Sequence, residues 1–167
     1  GHEMDSIKFL DEIIAYQQHK DDKYPVKEHT LTQLSIRVNK NMQDNINSLM
    51  AEHGINDAMF MLMSLLSTSD NFCMSPSDIS NVLQFSKTNV TRISDSLVTK
   101  GFIRRVDSRN DRRSKYIHLT PEGDLFLQRV TRIKSLYLEK IWSVLSDDEI
   151  KTFEIVSRKL LSHIDNI

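Results

Sequence analysis

Apolar residues in this chain fall into long helical stripes, interrupted once by a short stretch of strand-like alternation. From Asp5 to His19, Leu10, Ile13, Ile14 and Gln17 keep helical register, which predicts an amphipathic helix that Lys20 to Pro25 breaks. From His29 to about His53, Leu31, Leu34, Val38, Met42, Ile46 and Leu49 recur every three or four residues, and Gly54 supplies the stop. Asn56 then caps a helix that is apolar on nearly every side as far as Leu66, as a central buried helix must be.

The next stretch changes character. Phe72-Cys73-Met74 is too short to assign as a strand, but Ser75-Pro76-Ser77-Asp78 is a strong helix start, with Ile79, Val82 and Leu83 as the buried face and a turn at Gln84-Phe85. A second helix, Ser86 to Thr99, buries Val90, Ile93, Leu97 and Val98. Gly101 closes it. Phe102 to Val106 reads as a strand, Asp107 to Ser114 as a polar loop, and Lys115 to Leu119 as a return strand with Ile117 and Leu119 inward. Thr120-Pro121-Glu122 opens a long helix through Trp142, and the capping box Ser146 to Glu149 opens a last one carrying Ile150, Phe153, Val156, Leu160, Leu161 and Ile164.

Two short helices followed by a charged hairpin, inside a frame of longer helices, describe a mainly α protein built on an α+β winged helix. The expected division is a cloning remnant and start at 1–4, N-terminal helices at 5–54, a winged helix-turn-helix lobe at 55–120 and long C-terminal helices at 121–167. The terminal stripes have no counterpart inside so small a lobe. They are expected to bury each other across a two-fold axis, making both ends of the chain a dimerisation region.

Charge sharpens this picture. Between Ser86 and Tyr116 lie nine cations (Lys87, Arg92, Lys100, Arg104, Arg105, Arg109, Arg112, Arg113, Lys115) and three anions, a surplus of six in a chain whose net charge is −1. A basic patch on an otherwise acidic protein directs a polyanion to one surface. On the Ser86 helix, Lys87 and Arg92 suit phosphates or guanine, and Asn89 suits adenine. Ser86, Thr88 and Thr91 suit phosphates or base edges, and Ser75 and Ser77 on the bracing helix join the candidate contacts to double-stranded DNA. At the loop tip Arg109, Arg112 and Arg113 form a projecting guanidinium cluster able to reach a minor groove, with Asp111 as the internal partner that orients it.

The string TNVTRISDSLVTKGFIRR, the tip NDRR and the following LTPEG resemble the MarR family of winged-helix transcription regulators, over nearly the whole chain from His29 to Ile164. GIND followed by MF, TNVTRI, SDDE and RKLLS are most similar to its multidrug-efflux repressors of the EmrR (MprA) type. The resemblance implies a homodimer whose two lobes read a palindromic operator, with release by small aromatic or lipophilic compounds bound between interface and lobe. Ser108 to Asp111 departs from the Asp-x-Arg-Asp often found before the paired arginines in the family, whereas Asp111, Arg112 and Arg113 match.

Other chemistries find little support. Met59 and Met63, one helical turn apart, with Met42 on the preceding helix, could line an apolar effector pocket or simply fill core; Arg37 could clamp an aromatic carboxylate or sit in a surface ion pair. His19, His29, His53, His118 and His163 show no metal-ligand spacing, and with four glycines there is no phosphate loop, so neither a metal, a cofactor nor an enzymatic activity is expected. Cys73, the lone cysteine, reads as a small buried hydrophobe, with a thiol-sensing regulator as the alternative. A winged-helix module that binds protein instead of DNA is a further alternative. No apolar run is long enough to span a bilayer and no secretory signal is visible, which points to the cytoplasm and to no membrane partner.

Overall fold

The computed structural model describes residues 2–107 and 115–167 as seven α-helices and three short strands, divided into two compact units, 1–49 and 50–167. In the first unit, α1 (His2–Lys20) ends at a turn in which the Tyr24 N–H donates to the Asp21 carbonyl at 3.1 Å. Tyr24 stacks on His29 at 4.2 Å between ring centroids as α2 (Val26–Ala51) begins.

The second unit opens with the end of α2. Gly54, at φ 78°, lets the Ile55 N–H reach the Met50 carbonyl and the Gly54 N–H the Ala51 carbonyl, closing the last turn, while Met50 and Ile55 are both buried. Asn56 Oδ1 accepts from the Met59 N–H at 2.8 Å and so starts α3 (Asp57–Ser67). This helix is the hub: Leu62, Met63 and Leu66 are fully buried, and it packs against α4 (Pro76–Leu83), α5 (Lys87–Thr99), α6 (Pro121–Trp142) and strands β1 (Cys73–Met74) and β3 (Lys115–Leu119). Continuous apolarity along α3 follows from that position, since nearly every side of it meets a neighbour and only Met61 among its apolar residues is exposed.

The sheet is antiparallel in the order β1, β3, β2 (Ile103–Asp107), with Ile103 opposite Leu119 and Asp107 opposite Lys115. Phe72-Cys73-Met74, left unassigned from sequence, contributes a two-residue strand pairing Cys73 with His118 and Met74 with Ile117. Two residues of backbone pairing carry no periodicity, so only the partner strand reveals them.

Two expected core positions are corrected. Val98 on α5 is 37% exposed, and Ser94 takes the buried place instead at 1%. At 100° per residue Val90, Ile93, Ser94 and Leu97 cluster about one direction, whereas Val98 lies roughly a quarter-turn away. Val82 on α4 is 58% exposed for a similar reason: the helix packs through Ile79, with Leu83 half-buried, and Val82 turns to the other side.

The final helix, α7 (Asp147–Ile164), begins with the capping box read from sequence. Ser146 Oγ accepts from the Glu149 N–H at 3.2 Å, and Glu149 Oε1 accepts from the Ser146 N–H at 3.0 Å. The backbone N–H and then the hydroxyl of Ser146 hold the Glu149 carboxyl below its ordinary range. No residue of α7 is buried; Phe153, Val156, Leu160, Leu161 and Ile164 are each more than half exposed.

Candidate nucleic-acid interface

The helix pair α4–α5 is set by caps and by one left-handed residue. Ser75 Oγ accepts from the Asp78 N–H at 3.1 Å with Pro76 in the first turn, which fixes the entry to α4. Gln84 adopts φ 56°, ψ 38°, and the Ser80 hydroxyl donates to the Phe85 carbonyl at 2.6 Å, so the chain turns sharply into α5. Ser86 is the cap of α5 and not its first residue; its Oγ accepts from the Asn89 N–H at 3.1 Å.

That geometry aims one face of α5 outward. Lys87, Thr88, Thr91 and Arg92 are exposed beside the cap, and Asn89 is half-buried, while Val90, Ile93, Ser94 and Leu97 hold the helix to the core. Arg92 Nη2 donates to Asn89 Oδ1 at 2.7 Å, and the Thr91 hydroxyl donates to the Lys87 carbonyl at 3.1 Å. Ser77 is exposed and Ser75 half-buried at the start of α4. The structure thus gathers eight of the sequence-selected residues on one helix pair.

The hairpin adds a connection that charge counting missed. Arg105 Nη2 donates to Asp95 Oδ1 at 2.6 Å and to the Thr91 carbonyl at 3.4 Å, tying β2 to the exposed side of α5. Strand alternation carried the signal, because Arg105 shares the face of buried Ile103, which looks onto α5. At the far end of the described hairpin Lys115 pairs with Asp107 at 3.3 Å. Both described anions of the basic segment are therefore matched by cations. Arg109, Asp111, Arg112 and Arg113 lie outside the described residues.

Across the sheet His118 sits opposite Arg104. Burial, and secondarily the Arg104 guanidinium, push its pKa below the ordinary 6.5.

A likeness that runs over nearly the whole chain decides the family. The HTH-type transcriptional regulator PrsX of Escherichia coli is 48% identical over 164 residues, covering 98% of this chain and 99% of that protein. The family model described as MarR family matches residues 55–115, the helix pair and hairpin. The chain belongs to the MarR family. The transcriptional repressor MprA of Escherichia coli K12, also similar, is 34% identical over 95% of this chain and 90% of its own length. Among solved structures, a MarR C80S mutant from E. coli complexed with operator DNA superposes with a TM-score of 0.71 at 25% identity, covering 78% of this chain and 93% of that one. MarR relatives of this kind are transcriptional regulators and not enzymes.

The residues singled out for an effector are dispersed in role. Met59 and Met63 are buried in the core of the second unit, and Arg37 and Met42 are half-buried within the first. A separate cleft of about 420 Å³ lies between α3 and α6, lined by Phe60, Ser64, Leu127, Thr131, Lys134 and Leu138 among others. Inside it Lys134 Nζ is 2.7 Å from Asp57 Oδ1 and 4.2 Å from the Phe60 ring centroid. Cys73 is half-buried, its Sγ 3.6 Å from the Asp70 carbonyl.

Proposed function

We propose that this protein is a ligand-responsive transcriptional regulator, acting as a repressor, that binds a palindromic operator as a homodimer in the cytoplasm. The observation that carries the reading is the outward face of α5, capped by Ser86, stocked with Lys87, Asn89 and Arg92 and locked to the hairpin by Arg105. A helix so held fits the major groove, with Thr88, Thr91, Ser75 and Ser77 on flanking edges and phosphates. The hairpin tip, with Arg109, Arg112 and Arg113, reaches the adjacent minor groove, and Asp111 orients it. The operator complex of the similar E. coli MarR supports this use of the fold.

The exposed apolar side of α7 supports the dimer, since Phe153, Val156, Leu160, Leu161 and Ile164 are each more than half open to water in a single chain. Release by a small aromatic or lipophilic compound rests on what the family resemblance of the sequence implies and on the α3–α6 cleft, whose walls combine Phe60 and Leu138 with serine and threonine hydroxyls. Arg37, Met42, Met59 and Met63 remain the effector residues proposed from sequence.

Fluorescence anisotropy on duplexes from the chain's own promoter region, over a series of salt concentrations, tests the core of this reading. Affinity should fall with a log–log slope of roughly −0.9 per phosphate neutralised. Salt-insensitive binding, or no binding, removes it. Sedimentation of the free protein at twice the chain mass checks the dimer.

A further inference from the structure

The exposed face of α5 carries two strong hydrogen-bond acceptors, and each is already capped by an arginine. Asn89 Oδ1 receives Arg92 Nη2 at 2.7 Å, and Asp95 Oδ1 receives Arg105 Nη2 at 2.6 Å. What remains near the start of the helix, beside the Thr88 and Thr91 hydroxyls, is a set of groups that can only donate: the two N–H groups of Asn89 Nδ2, the uncommitted N–H groups of Arg92 and the ammonium of Lys87.

Base edges in the major groove differ in what they need. Guanine offers two acceptors, N7 and O6. Adenine offers N7 but also the N6 amino donor, and cytosine offers the N4 donor. A bidentate contact from asparagine to adenine uses Oδ1 to accept from N6 and Nδ2 to donate to N7. In this protein a guanidinium stands 2.7 Å from that Oδ1. An adenine amino group would have to approach beside a cation of its own donor character, which electrostatics disfavours. Guanine meets no such conflict, because Asn89 Nδ2 and the Arg92 guanidinium can donate side by side to N7 and O6.

We infer that Asn89 and Arg92 act as one composite reader that selects guanine in each half-site, replacing the adenine contact expected of Asn89 alone. The inference rests on the DNA-binding reading above. It adds a positioning role for Asn89, which fixes the guanidinium of Arg92 before DNA arrives and so lessens the side-chain entropy lost on binding.

The test begins with selection by the full-length protein from a duplex library with a randomised core. The expected result is a palindrome with guanine at one fixed position per half-site. In the selected duplex, 7-deazaguanine at that position removes the N7 acceptor and should weaken wild-type binding about tenfold. Inosine, which keeps N7 and O6, should leave it unchanged. Asn89→Ala should bind more weakly and lose most of its sensitivity to 7-deazaguanine. Asn89→Asp, which keeps an anchor for Arg92 but removes both Nδ2 donors, should lose the guanine preference while retaining the wild-type circular dichroism spectrum.

Selection of adenine at the position that responds to Asn89 overturns the composite reader, as does equal 7-deazaguanine sensitivity in wild type and Asn89→Ala. In either case the DNA-binding reading survives. A library that enriches no sequence, with no duplex bound at low salt, overturns both.

Discussion

Arg105 on β2 and Asp95 on α5 meet at 2.6 Å, joining the hairpin to the helix proposed to enter the major groove. The Asp95 side chain is 63% exposed and that of Arg105 32%, so solvent screens the pair and its worth to stability is under about 1 kcal/mol. Its importance lies in the field it presents to DNA. With Arg105 in place, the carboxylate in the middle of the α5 face carries no uncompensated charge toward phosphates.

The two partners should therefore respond unequally to substitution. Arg105→Ala leaves the Asp95 carboxylate uncompensated on the face turned to DNA, and operator affinity should drop on the order of tenfold. Asp95→Asn removes the anion and should cost much less. Anisotropy titrations of both variants beside their melting temperatures check this; equal losses of affinity would show that the tie between helix and hairpin, and not the charge left on Asp95, is what DNA binding needs.

Gly123 in the first turn of α6 explains the glycine of the LTPEG string. A Cβ there would lie 2.1 Å from the Phe102 carbonyl oxygen and 2.9 Å from Leu119 Cδ1. That carbonyl already accepts from the Thr120 N–H at 3.0 Å, which leaves it little room to move. Gly123→Ala should push α6 away from the hairpin base and destabilise the fold by about 3 kcal/mol or more, read as a lowered urea midpoint.

Lys134 and Asp57 pair at 2.7 Å with side chains only 12% and 15% exposed, linking α6 to the first turn of α3. Removing Lys134 takes away the ammonium that balances the Asp57 carboxylate where water reaches little. Lys134→Met should cost about 3 kcal/mol, and Lys134→Met with Asp57→Asn should recover part of it. Denaturant titration of the single and double variants measures the coupling; additive losses would mean that the ion pair itself contributes nothing.

His118 gives the protein an acid-side dependence. Burial first, and Arg104 second, lower its folded pKa below the ordinary 6.5, so the fold favours the neutral ring. The unfolded chain then takes up the proton at higher pH than the folded one. Stability is full above the unfolded value, declines as pH falls through it, and stops declining once the folded value is passed. Melting curves from roughly pH 8 to about pH 5 should show this decline in wild type and a shallower one in His118→Gln.

The sequence by itself determined the parts whose physics is local. The Asn56, Ser75 and Ser146 caps read from sequence each depend on a side chain reaching a backbone N–H three residues on, and all three are present; the structure adds the same reach at Ser86 and Thr120. Long apolar runs specified α2, α3 and α6 because a helix face repeats every turn, although on α2 Ile46 and Met50 are buried while Leu31, Leu34 and Val38 are exposed. Tertiary structure decided what depends on neighbours distant in sequence. It made Cys73–Met74 a strand, because β3 lies beside it, and it seated Ser94 in the core, because α5 docks through the centre of its stripe and not its edge. It also turned Arg105 from one more cation into the partner of Asp95, ten residues away, since only the packing of β2 against α5 brings those charges together.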